Sequence, residues 1–139
     1  MPATAVIICE ETGRWGAALR RENVASLRET RSIEECWREL AQFPAAFVVL
    51  EIQAGNAERM FKRIVTLERD FPHAAAAAVL LEMLSSLEPW LREYGFAAVV
   101  TSLLEASDLA SIVRRHLARF ETGAAEATGR VMAELPWEP

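Results

Sequence analysis

Carboxylates close three apolar runs of this chain. Glu10 and Glu11 follow Ala5-Val6-Ile7-Ile8-Cys9, Glu51 follows Ala46-Phe47-Val48-Val49-Leu50, and Glu82 follows Val79-Leu80-Leu81. If these acids converge, they repel one another. Two like charges 4 Å apart cost about 4 kcal/mol at an effective dielectric of 20. A divalent cation, retained protons, solvent exposure or a folded-back counter-ion would relieve that cost. Arg14, soon after Glu11, is the candidate counter-ion.

The elements that would carry these acids alternate. Short apolar runs of strand length are separated by stretches with an apolar face at helical spacing. Strands are expected at Ala5–Cys9, Asn23–Thr30, Ala46–Leu50, Ala75–Leu81 and Ala97–Thr101, the second being the weakest pattern. Ile33, Cys36, Trp37 and Leu40 mark one helix, with Ser32 and Glu35 as a capping box in front. Met60, Phe61, Ile64, Val65 and Leu67 mark the next, ending near Pro72. Ser85 and Glu88 form a second capping-box pattern ahead of Trp90 and Leu91, and Gly95 is placed to end that helix in the left-handed conformation. Ser107 is the expected cap of the last helix, whose face is Ile112, Val113, Leu117 and Phe120. Five apolar strands, each followed by a helix, imply an α/β fold with a parallel sheet covered on both faces.

Composition narrows the function classes. The 139 residues suit one domain, and a net charge of −5 argues against a nucleic-acid surface. The start lacks a basic signal-peptide region, and the apolar run Ala74–Leu81 is too short to span a bilayer. A cytoplasmic protein without membrane contact is expected. Cys9 and Cys36 read as reduced, buried thiols. His73 and His116 are isolated from any acid-and-nucleophile arrangement. Thr12-Gly13-Arg14-Trp15-Gly16 lacks the glycine fingerprint and lysine of a phosphate loop.

In order and spacing, residues 5 to 120 resemble the response-regulator receiver family, the CheY-like domains of two-component signalling. The resemblance implies a doubly wound, flavodoxin-like, three-layer sandwich with strand order 2-1-3-4-5. It makes Glu10 and Glu11 the counterparts of the metal-binding acids and Glu51 the phosphoacceptor-equivalent position. Together Glu10, Glu11 and Glu51 are then the candidate ligands for Mg²⁺, with no cofactor certain. Glu82 falls on the family's hydroxyl position. Thr101 matches the start of the Thr-Lys-Pro-like run, but Ser102 and Leu103 stand where lysine and proline are expected.

The site is therefore degenerate. The chain has only two aspartates, Asp70 and Asp108, and neither closes a predicted strand. Glutamate at position 51 moves the reacting oxygen by about one C–C bond, and attack geometry is sensitive to about 1 Å. The resemblance points to a non-enzymatic signalling module whose partner is another protein, a signalling protein or kinase. Glu51 either imitates the phosphorylated state or is a relic. A metal-dependent switch or enzyme built on Glu10, Glu11 and Glu51 is the alternative. Trp90 and Tyr94 are candidate interface aromatics, and a homodimer is one arrangement they would serve. A receiver-like domain over 1–120 is followed by a tail over 121–139, where the apolar pattern stops until Val131-Met132 and Leu135-Pro136-Trp137. Trp137 is a candidate docking residue.

Overall fold

The structure is a computed structural model that describes the backbone of residues 4–134 and the side chains of residues 4–120. Five parallel strands form one sheet in the order β2-β1-β3-β4-β5. They are β1 (Val6–Cys9), β2 (Leu27–Thr30), β3 (Phe47–Ile52), β4 (Ala75–Leu80) and β5 (Ala98–Val100). The helices between and after them are α1 (Arg14–Arg21), α2 (Ile33–Gln42), α3 (Ala57–Asp70), α4 (Glu88–Glu93) and α5 (Ala106–Glu134). This is the doubly wound, three-layer arrangement expected from the alternation of apolar runs.

Side chains of a strand alternate between faces, so each central strand feeds two cores. Ile7, Cys9, Val48, Leu50, Ile52, Ala78 and Leu80 pack with α2, α3 and α4 residues such as Trp37, Leu40, Ile64 and Leu91. Val6, Ile8, Phe47, Val49, Ala77 and Val79 pack with Trp15 and Leu19 of α1 and Leu109 and Val113 of α5. β2 stands at the edge and is mostly exposed, which explains its weak sequence pattern. Four consecutive alanines open β4 despite their low strand preference. Burial between two strands overrides propensity there.

The helix starts differ from the expectations in instructive ways. Ser32 does cap α2, accepting from the Glu35 amide at 3.2 Å, but the Glu35 carboxylate reaches the Arg31 amide, one residue before the cap. The Ser85/Glu88 pattern makes no capping box. A 3₁₀ turn over Glu82–Leu87 occupies that stretch, and α4 starts at Glu88 without a side-chain cap. Ser107 is not a cap either, because it lies inside α5. The cap is Ser102, which opens a second 3₁₀ turn over Leu103–Glu105 with Glu105 as its reciprocal partner. Gly95 has φ of +85° and follows the end of α4, as expected. The backbone of α5 continues past Phe120, where the apolar pattern stops, to Glu134. Trp137 lies outside the described residues.

Candidate functional site

The C-terminal ends of β1 and β3 adjoin at the centre of the sheet, with Cys9 paired to Leu50. The next residues along each strand direction are Glu10 and Glu51, only 4% and 5% exposed. A buried carboxylate needs hydrogen-bond donors, and each acid has found at least one in the backbone. Glu10 accepts from the amide of Gly16 at 2.8 Å through Oε1 and from the amide of Trp15 at 3.0 Å through Oε2. These amides belong to the first turn of α1, whose own cap position is Gly13 with φ of +80° and no side chain to offer. Glu10 is thus the cap of α1, and the positive end of the helix favours its charge.

Glu51 is held differently. Its Oε1 accepts from the Glu11 amide at 3.3 Å and from Gln53 Nε2 at 3.0 Å. Its backbone carbonyl accepts from Asn56 Nδ2 at 3.2 Å, while Asn56 Oδ1 accepts from the Gln53 amide at 2.8 Å. The loop between β3 and α3 therefore locks Glu51 in place. Glu11 itself is exposed, and its carbonyl accepts from Arg31 Nη1 at the end of β2.

A small cleft joins these groups. Cys9, Glu10, Glu11, Glu51, Arg31 and Arg59 are among its walls. Its volume of about 50 Å³ is far below the roughly 300–1,000 Å³ of small-molecule pockets. Among the described residues no group of three or more His, Cys, Asp or Glu side chains is placed to hold an ion. Both oxygens of Glu10 already take amide hydrogens.

The remaining sequence candidates lie apart. Arg14 is exposed and forms no ion pair among the described residues, so repulsion is relieved by amides and not by that guanidinium. The cations at the cleft are Arg31 and Arg59. Glu82 does not join the cluster. It sits on the exposed 3₁₀ turn after β4. The Thr101 and Ser102 amides are both taken by Glu105 Oε2, at 2.8 and 3.1 Å, and the Ser102 hydroxyl accepts from Leu104. Trp90 is half-buried between Phe61 and Tyr94, with ring centroids 4.7 and 4.6 Å away, and Tyr94 is exposed.

Sequence reasoning passed over Gln53, Asn56, Arg31 and Arg59. The Asn56 signal was present, since an asparagine three residues after a glutamine in a loop suits a side-chain turn. Arg31 and Arg59 carry no local signal, because only the packing of β2 and α3 around the edge brings them there. Cys9 and Cys36 are buried free thiols. Burial pushes Cys9 up to about 11 and Cys36 further in the same direction, so neither is a ready nucleophile.

No family model and no curated protein matches the chain. Among solved structures, a CheY-like protein (TadZ) from Pseudomonas aeruginosa PAO1 superposes with a TM-score of 0.66 and 15% identity. The match covers 81% of this chain and 98% of that one. The fold is CheY-like. At this identity the likeness concerns the receiver architecture alone. In a CheY-like sheet of this order the succession of strands turns from one side to the other between β1 and β3, where doubly wound folds place their sites. That is where Glu10 and Glu51 lie. No helix among the described residues is long and apolar enough to cross a membrane.

Proposed function

We propose that the chain is a receiver-like signalling module that works through protein contacts and not by accepting a phosphoryl group. The observation that carries this reading is the tied-down Glu51. Its Oε1 is engaged by the Glu11 amide and Gln53, and no aspartate stands at either central strand end. Asp70 closes α3 beside Arg69, and Asp108 lies in the first turn of α5. Phosphoryl transfer also needs cationic stabilisation of the transferred group. At the family's lysine position stands Ser102, engaged as a cap. The local bonds of Glu51 favour a structural role for its charge over imitation of a phosphorylated state. Glu10 likewise holds α1 in place.

Intact-mass spectrometry after incubation with acetyl phosphate and Mg²⁺ tests the proposal, with an ordinary receiver as positive control. No adduct is expected. A stoichiometric adduct that disappears in Glu51→Gln would overturn it. A Mg²⁺ titration followed by intrinsic tryptophan fluorescence is expected to be flat, and a saturable change lost in Glu51→Gln would favour a metal-responsive switch instead.

A further inference from the structure

Two 3₁₀ turns stand at the same end of the sheet, since β4 and β5 are hydrogen-bonded parallel neighbours and each turn follows its strand. Their outer residues are apolar. Leu104 is 93% exposed and Met83 78%, with Leu81 and Leu103 also open to solvent. Among the described residues the other exposed large hydrophobics are Val65 and Tyr94, on α3 and just after α4. Isolated exposed leucines need no explanation, but exposed apolar side chains gathered at one end of a sheet are a feature of interaction sites.

Its surroundings are acidic. Glu82 stands exposed between Leu81 and Met83. Glu105 closes the second turn, and Asp108 follows one turn into α5. From these observations, and resting on the contact-based reading above, we propose that this end of the sheet docks a segment of a partner protein that presents aliphatic side chains flanked by lysine or arginine. An anionic membrane would be repelled by the same carboxylates. A second copy fits poorly. The exposed face of α1 is basic through Arg14, Arg20 and Arg21, but it carries no exposed large hydrophobic.

The test uses the full chain and a synthetic amphipathic helix of leucine and lysine as probe, followed by fluorescence anisotropy. The same helix with glutamate in place of lysine is the comparison. The lysine helix is expected to bind at least about tenfold more tightly than the glutamate helix, or about 1.4 kcal/mol. Met83→Ser combined with Leu104→Ser should weaken it by about tenfold or more, and Glu82→Lys should weaken the lysine helix alone. Val65→Ser combined with Tyr94→Ser should change nothing. Circular dichroism checks that each variant is folded, and amide shifts of the wild type should change around 81–84 and 102–105.

Absence of binding, equal affinity for both helices, or affinity undiminished in the Met83/Leu104 variant would overturn the proposal. Self-association lost in that variant would also overturn it, by making a second copy the occupant. A phosphoryl adduct alongside selective binding would sink the reading of the acidic site and leave the docking surface standing. No adduct and no binding would do the reverse.

Discussion

One end of the sheet has two halves with opposite character. Where β1 and β3 end, the carboxylates of Glu10 and Glu51 are buried and bound to backbone amides. Where β4 and β5 end, the chain turns outward through two 3₁₀ turns and shows Met83 and Leu104 to solvent. In both halves an apolar strand stops at polar residues, so strand-end position alone does not decide what a side chain does. The inner half lies beneath the start of α1 and the loop after β3, which supply amide donors. The outer half has no element above it among the described residues, so its side chains are left for solvent or a partner. The inner half is bound into the fold, and the outer half is surface.

The largest expected difference comes from truncating Glu10. Glu10→Ala leaves the Trp15 and Gly16 amides without their acceptor and removes the cap of α1. A loss of about 2 kcal/mol is expected, read as a lower midpoint in urea unfolding. Glu10→Gln keeps one acceptor oxygen and should lose about half as much. Equal stability of wild type and Glu10→Ala would show that the acid is not a cap, and the contrast between the halves would fail.

A second buried polar group, at the opposite end, gives a smaller, pH-dependent effect. His116 on α5 bonds through Nε2 to the Ala45 carbonyl at 2.7 Å and packs edge-on against Phe47. The carbonyl accepts, so the neutral ring carries its proton on Nε2. Burial holds the imidazole below its ordinary value of 6.5, outweighing the bond to Ala45, which pulls the other way. The fold therefore favours the neutral ring. Its contribution is complete above pH 6.5 and is lost on acidification, as the unfolded chain takes up the proton first. Melting temperature should fall as pH drops below that value, and His116→Gln should flatten the slope. An unchanged slope would assign the acid sensitivity to other groups.

The smallest effect belongs to the outer half. Met83→Ser and Leu104→Ser should each shift stability by no more than about 0.5 kcal/mol, because both side chains already stand in water. A loss above about 1.5 kcal/mol for either would mean that the turn is packed and not free. That result would remove the contrast from the other side.

Much of the architecture was legible in the residues. The buried runs at β1 and β3 are continuous and apolar, and the periodic faces of α2, α3 and α5 read plainly against them. β2 was hard to place because an edge strand pairs on one side only and carries little burial pattern. The helix starts failed at Ser85 and Ser107 for a common reason. Capping patterns are short, and 3₁₀ turns at the ends of β4 and β5 shifted where each helix begins. At the site, the acids were found but their partners were not. Hydrogen bonds from Trp15 and Gly16 to Glu10 come from backbone amides, which every residue has and which leave no mark in side-chain types.

By itself the sequence determined the order of strands and helices, the apolar faces that make two cores, and the scarcity of aspartate, with only Asp70 and Asp108 in the chain. These follow from composition and periodicity, which are local. Tertiary structure decided that Glu10 caps a helix, that Glu51 is held by its loop, that Arg14 stays outside, and that Glu82 belongs to a different surface. Those outcomes depend on which elements cover the end of each strand. A carboxylate buried near free amides becomes a cap, and the same group left uncovered remains a charge in water.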